Sequence, residues 1–323
     1  MVKRVKTEDA IGKPIAHDVV RYGPGLKSIL FKRGCVITAA DVEKLKDTGN
    51  YSVYITEKKE VGVHEDEAAT RMVRALAGGN ISYTKPNQGK VNLLAKTPGL
   101  LKVKAGVVKQ VNLIDNFIIS VKPNKTGVRK AELVGSVKIV PLTVEEGQMR
   151  RVEEILKHNK PIQVVPPKLK RIGAIITGTE VHEGRVKDAF EPALREKLAG
   201  YELKIQEAIV VPDDEEKIEG KILAFKEKGY ELILVAGGMA VDAGDVTPAA
   251  IRKTGAEIIS RGVPTFPGSM IMIAYLDGTP ILGLPACVIP DKRTSFDLLL
   301  PRVLTKEKIT REEIAELGHG GML

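Results

Sequence analysis

Residues 237–248 read GGMAVDAGDVTP: two glycines, then Asp242 and Asp245, then Thr247-Pro248. Gly237 and Gly238 can take positive φ and let a backbone or a ligand approach closely. Exposed N–H groups at such a turn suit phosphate, and a spare carboxylate can hold Mg²⁺. A plain strand-to-helix turn with solubilising aspartates uses the same residues. The loop alone leaves both readings open.

The chemistry needs a strand before the loop and a helix after it. Residues 231–236, ELILVA, are an almost unbroken apolar run, as expected of a strand covered on both faces. Thr247-Pro248 predicts a helix start, with the hydroxyl as N-cap and proline at N1. The loop then lies beyond the carboxyl end of a parallel strand, where open α/β sheets bind ligands.

The same alternation extends on both sides. A Pro-rich stretch at 161–168 reads as an extended connector between two domains, 1–165 and 166–323. After it, strands are expected at 171–177, 203–211, 231–236 and 257–260, and helices at 188–199, 215–228 and 248–253. Residues 270–284 read as a hairpin turning on Asp277-Gly278, followed by a helix over 291–303. The fold class expected for 166–323 is α/β, a mainly parallel sheet with helices on both faces. Residues 1–165 read as an α+β domain, with strands at 13–20, 52–55, 101–108, 116–121 and 131–141. Its helices are expected at 38–48, 65–77 and 144–157.

Composition narrows the function classes. The chain has 323 residues and is 43% hydrophobic, which specifies a globular protein with a sizeable core. Aromatics are 4% and Trp is absent, which argues against base-stacking platforms. No signal-peptide core or membrane-length apolar run is visible, and the two cysteines, Cys35 and Cys287, lie far apart. A reduced cytoplasmic protein is the expectation. The net charge of +9 is uneven: residues 1–170 carry 31 Lys and Arg against 17 Asp and Glu, residues 171–323 carry 19 against 24. No acid falls between Glu67 and Asp115, where Arg71, Arg74, Lys85, Lys90, Lys96, Lys102, Lys104 and Lys109 accumulate. Such a patch serves an anionic ligand or is a solvated surface; specific nucleic-acid binding is not expected.

Four loops fall into one recognisable order: Thr177-Gly178-Thr179-Glu180, then Gly237-Gly238 through Asp245, then Pro267-Gly268-Ser269, then Gly283-Leu284-Pro285. Together they resemble the molybdopterin-binding domain shared by molybdopterin adenylyltransferases and molybdenum insertases, over about 171–304. The stretches IGKPIAHD and GCVIT near the start resemble insertase-like proteins more loosely. A counterpart of the insertases' C-terminal β-barrel is not expected after Leu304. The sequence departs from the insertase pattern at Ala240, Asp242, Ser269 and Ala286-Cys287-Val288.

The resemblance implies roles. Backbone N–H groups of Gly237 and Gly238 would receive a pterin phosphate. Asp245 would hold Mg²⁺, with Asp242 as a second ligand or a turn former. Thr177, Thr179 and Glu180 would contact the pterin or help with the metal, Glu180 acting with Asp245 in catalysis. Gly268, Ser269 and Pro285 would shape the pterin slot, while Asp188 reads as a helix cap. Cys287 is read as a small apolar residue in preference to a molybdenum thiolate. Implied ligands are molybdopterin or its adenylate, Mg²⁺ and molybdate, with a homo-oligomer and a molybdoenzyme client as partners. An insertase-like transferase, a non-catalytic carrier and a pyridine-nucleotide-processing relative stay open.

Overall fold

The computed structural model describes residues 2–24, 26–56, 62–242 and 244–322. The chain divides into two compact units. The first comprises residues 1–94, 104–122 and 133–162; the second comprises 95–103, 123–132 and 163–323. The chain enters the second unit for good at Gln163. It has already supplied two short segments to that unit, which no single cut in the sequence describes.

The second unit is built on a six-stranded sheet: β1 (Ile172–Thr177), β2 (Ile205–Val211), β3 (Leu232–Ala236), β4 (Glu257–Arg261), β5 (Met272–Leu276) and β6 (Thr279–Leu284). Their order is β2-β1-β3-β6-β5-β4, with β5 antiparallel to both neighbours and the rest parallel. Helices α1 (Phe190–Ala199), α2 (Glu215–Glu227), α3 (Thr247–Lys253), α4 (Ser295–Leu304) and α5 (Arg311–Glu316) surround it.

Every residue of β1, β3 and β5 is buried, because both faces are covered. On one face, Ile176, Leu234 and Leu284 pack with Leu194 and Leu198 of α1 and Phe296 and Leu300 of α4. On the other, Ile175, Val235 and Ile281 pack with Ile222 and Phe225 of α2 and Ile251 of α3. The doubly covered sheet expected from the sequence is present. So is the hairpin, with Asp277 and Gly278 both at positive φ (46° and 80°), as a type I′ turn requires.

Three expectations outside the sheet fail. Residues 13–20 are not one strand: Pro14 and Ile15 make only isolated bridges, and a strand begins at Val19 and runs to Gly23. Residues 101–108 are not one strand: a strand ends at Val103 and a helix, Ala105–Asn112, begins. The stretch read as a connector contains a strand, Ile162–Val165, which pairs beside Gly99–Val103. Its prolines flank the strand, Pro161 before it and Pro166-Pro167 after it, and so do not interrupt its hydrogen bonding.

In the first unit, a four-stranded antiparallel sheet runs in the order Ile81–Tyr83, Lys90–Ala95, Leu133–Ile139, Phe117–Val121. The helix Glu65–Leu76 packs against Leu133–Ile139 and against the helix Glu146–Lys157. The basic patch is partly neutralised, since Arg71 forks onto Glu146 at 2.9 Å and Glu153 at 2.6 Å. A separate small core gathers Ile15, Phe31, Ile37, Leu45, Val53 and Ile55.

Candidate functional site

Register sets the position of the site. Ile176 lies beside Ala236 across β1 and β3, Ala236 beside Leu284 across β3 and β6, and Thr177 beside Val211 across β1 and β2. Four strands thus end at one level, and their following loops share one carboxyl rim. Met272 opposite Gly283 and Arg261 opposite Met272 bring the start of β5 and the end of β4 to the same rim.

At the centre, Gly237 (φ 106°) and Gly238 (φ 57°) turn the chain directly beneath two threonines. A Cβ on Gly237 would lie 2.4 Å from the Thr177 carbonyl oxygen, and one on Gly238 would lie 2.8 Å from Thr247 Oγ1. Only glycine fits this contact. The buried Thr177 and Thr247 hydroxyls meet at 3.3 Å. Thr247 is the first residue of α3 and Val246 its N-cap, so the expected Thr247 cap is not made; its hydroxyl meets Thr177 instead. The Gly237 N–H is not available to a phosphate either, because it donates to the Leu284 carbonyl at 3.1 Å. That donation continues the β3–β6 pairing by one step, so Gly237 contributes its missing side chain. The N–H of Gly238 has no acceptor among the described residues.

Asp213, which the sequence reading passed over, closes the rim on the β2 side. Its Oδ2 accepts from the Thr179 backbone N–H at 2.9 Å and from the Thr179 hydroxyl at 3.3 Å, and its own N–H donates to that hydroxyl at 3.1 Å. Its Oδ1 faces Gly238, 3.6 Å from where a Cβ would stand. The signal was present in the VVPDD run at the end of β2, one strand over from the recognised loop. Glu180 is exposed on the short helix Thr179–His182, its carboxylate folded over Gly178, where a Cβ would lie 3.0 Å from Oε1.

Asp242 and Asp245 hold their own loop. Asp245 Oδ2 accepts from the Asp242 N–H at 2.9 Å, and the Asp245 N–H donates to the Asp242 carbonyl at 2.9 Å. Arg261 steadies the loop further, donating to the Ala240 carbonyl at 3.2 Å. Asp245 is half-buried and its Oδ1 has no partner among the described residues, whereas Asp242 is exposed. Among the described residues, no group of three His, Cys, Asp or Glu side chains forms a ready metal cage. A cation here needs oxygens from a ligand, which is how Mg²⁺ is usually held by one or two carboxylates plus phosphate.

The remaining predicted residues lie on the β5–β6 side. Gly268 (φ 103°) leaves room for Ser295 at the start of α4: Ser295 Oγ donates to the Gly268 carbonyl at 2.6 Å. Ser269 uses its carbonyl to bind Val263 N–H, and Pro285 opens the turn Ala286–Val288. Cys287 is half-buried there; burial pushes its thiol up, and Asp291 adds to the shift, so the thiol form is favoured. Asp188 caps α1 as expected, accepting from Phe190 N–H at 2.8 Å and Glu191 N–H at 3.0 Å.

A hollow of about 580 Å³ lies at the opposite, amino edge of the sheet, lined by Tyr230, Glu231, Asp277, Lys306 and Lys308 among others. Its charges are spent on each other: Lys308 on Glu257 at 2.9 Å, Lys306 on Glu231 at 3.5 Å, Lys226 on the Leu276 and Asp277 carbonyls. The unspent polar groups are on the carboxyl rim instead.

With that geometry in place, residues 173–306 match the family described as a probable molybdopterin binding domain. This stretch belongs to that domain family. Residues 4–57 match a domain of unknown function. A molybdopterin molybdenumtransferase of Synechococcus elongatus is 29% identical over 111 residues, which is 32% of this chain and 28% of that protein. A CinA-like protein of Mycobacterium avium is 31% identical over 94 residues, 29% of this chain and 22% of that protein. The chain therefore spans less than a third of the length of either relative. Among solved structures, the molybdopterin biosynthesis enzyme MoaB of Thermus thermophilus aligns at 26% identity over 42% of this chain and 91% of its own, with a TM-score of 0.36. Among the described residues no helix is long and apolar enough to cross a membrane.

Proposed function

We propose that this protein works in molybdenum cofactor biosynthesis, binding molybdopterin or its adenylate at the carboxyl rim with Mg²⁺ and passing molybdate to the dithiolene. The observation that carries the reading is the contact of Gly237 and Gly238 with Thr177, Thr247 and Asp213, in a domain of the molybdopterin-binding family. In this reading the free N–H of Gly238 meets the terminal phosphate, and Thr177 is held rigid beneath it. Thr179 is clasped by Asp213 and keeps the neighbouring loop in place for the pterin. Glu180 faces the ligand from the exposed side, while Gly268, Ser269 and Pro285 bound the slot. Asp245, with Asp242, would hold Mg²⁺ together with phosphate oxygens, and the ion supplies neutralisation of phosphate charge. Homo-oligomerisation and delivery to a molybdoenzyme belong to the same proposal.

Ala240 and Ala286 stand where insertases carry Ser and Gly, which favours a carrier that binds without turnover as the nearest variant of this reading. The CinA-like relatives keep a second reading, pyridine-nucleotide processing by a related domain. Titration calorimetry with molybdopterin, adenylated molybdopterin and NAD, each with and without Mg²⁺, separates them. Tight pterin binding that depends on Mg²⁺ supports the proposal. Binding of NAD alone, or of none of the three, would falsify it.

A further inference from the structure

The four-stranded sheet of the first unit has one apolar and one polar face. Val91, Leu93, Val137, Ile139, Phe117 and Ile119 are buried on the first. Alternation puts Lys90 and Asn92 of one strand, and Ser136 and Lys138 of its neighbour, on the second. The register sets Lys90 directly opposite Lys138, and Asn92 opposite Ser136. Like charges facing each other across a strand pair are destabilising, so this placement needs a reason. Lys138 is met by Glu65 at 3.2 Å and by the Gln88 carbonyl. Asp66 is engaged by the Gly89 N–H at 2.7 Å. Lys85 and Lys90 have no ion pair among the described residues.

These side chains surround a hollow of about 330 Å³ that no carboxylate lines. Its floor is polar and ordered: Ser136 Oγ donates to Asn92 Oδ1 at 2.7 Å, and the Asn92 N–H donates to Thr84 Oγ1 at 3.1 Å. Among the described residues, that leaves the Asn92 amide N–H₂, the Asn87 amide and two ammonium groups as unspent donors. We propose that this hollow, formed by Thr84, Lys85, Asn87, Lys90, Asn92 and Lys138, is a binding site for a small phosphate-bearing anion. Two unpaired ammonium groups and amide donors match the charge and acceptor-only oxygens of such a ligand. The anion also offsets the charge of Lys90, the member of the opposed pair that Glu65 does not meet. A sheet face poor in aromatics offers little stacking for single-stranded nucleic acid, and the concave shape fits a small molecule better.

Inorganic pyrophosphate is the probe, titrated calorimetrically into the full chain at constant ionic strength. Lys85→Gln/Lys90→Gln is expected to weaken one saturable binding event by about tenfold or more, with the fold intact. Lys104→Gln/Lys109→Gln, equal in charge but outside the hollow, leaves it unchanged. Lys90→Glu creates a cross-strand ion pair with Lys138, so it should raise the melting temperature of the free protein while abolishing that event. Pyrophosphate held at the carboxyl rim is indifferent to these lysines. The proposal is overturned if the first double variant keeps wild-type affinity and stoichiometry, or if both double variants weaken binding equally. Loss of single-stranded oligonucleotide binding with pyrophosphate binding retained also overturns it and assigns the face to nucleic acid.

Discussion

The two edges of the six-stranded sheet spend their polar groups in opposite ways. At the amino edge, charge is consumed locally. Arg302, almost wholly buried, is gripped by Glu307 at 3.3 Å and Glu313 at 2.6 Å, with Lys102 on Glu307 and Lys125 on Glu313. At the carboxyl rim, Gly238 N–H, Asp213 Oδ1 and Asp245 Oδ1 are left without protein partners among the described residues, around glycines too tightly packed for any side chain. One edge is closed by its own charges; the other is rigid in backbone and open in chemistry. A hollow at the first edge is a structural seam, whereas unspent donors and acceptors at the second mark a ligand site.

Breaking the amino edge should cost stability without touching binding. Arg302→Met removes the shared partner of Glu307 and Glu313, leaving each to its lysine, and is expected to destabilise the protein by about 3 kcal/mol in urea titration through the loss of two charge-assisted hydrogen bonds, with pterin affinity of the folded fraction unchanged. Equal loss of affinity would erase the contrast between the edges. Gly237→Ala forces a Cβ against the Thr177 carbonyl at positive φ, an expected cost of about 2–3 kcal/mol together with lost binding. Gly229→Ala, near the amino edge, meets nothing within 4 Å and should cost about 1 kcal/mol, from its positive φ alone.

Asp245→Asn sharpens the comparison from the other side. Asn keeps an oxygen for the Asp242 N–H, so the melting temperature should move by less than about 2 °C. The Mg²⁺-dependent part of pterin binding should disappear in the same calorimetric titration. A variant that binds like wild type, with the same Mg²⁺ response, reduces the loop to a turn.

The amino edge also predicts an acid limb. Burial works against ionised Glu313, but hydrogen bonds from Lys125 and Arg302 outweigh it and hold the carboxyl at about 2. A depressed carboxylate stabilises the fold above its unfolded value, and that contribution is lost as pH falls from the ordinary carboxylate range through about 2. Glu313→Gln should flatten this limb of the stability–pH curve, while Asp245→Asn leaves it in place. The smallest effect belongs to Lys308→Ala, which breaks an exposed pair with Glu257 and should cost about 0.2–1 kcal/mol, less in high salt.

Local signals carried much of this. Unbroken apolar runs gave buried strands, Asp277-Gly278 gave the hairpin, and the order of four short loops gave the domain. The helix Ala105–Asn112 was misread because Val107, Val108 and Val111 look β-forming. Propensity is a weak prior there, and helical contacts with Phe117–Val121 and Glu146–Lys157 override it. The strand Ile162–Val165 reads as a connector from sequence because prolines flank it, whereas its pairing depends on Gly99–Val103, about sixty residues earlier.

What the sequence determined by itself is the kind of chemistry: glycines, threonines and carboxylates at the ends of parallel strands, a pattern set by residue type and spacing along one chain. Only the tertiary structure decided how each group is spent. Register across β1, β3 and β6 takes the Gly237 N–H for Leu284, packing of α3 takes the Thr247 hydroxyl for Thr177, and Asp213 reaches Thr179 across thirty-four residues. In the other unit, pairing alone sets Lys90 against Lys138. A hydrogen bond or a repulsion between distant residues depends on distance in space, and sequence spacing carries that information only within one element or one turn.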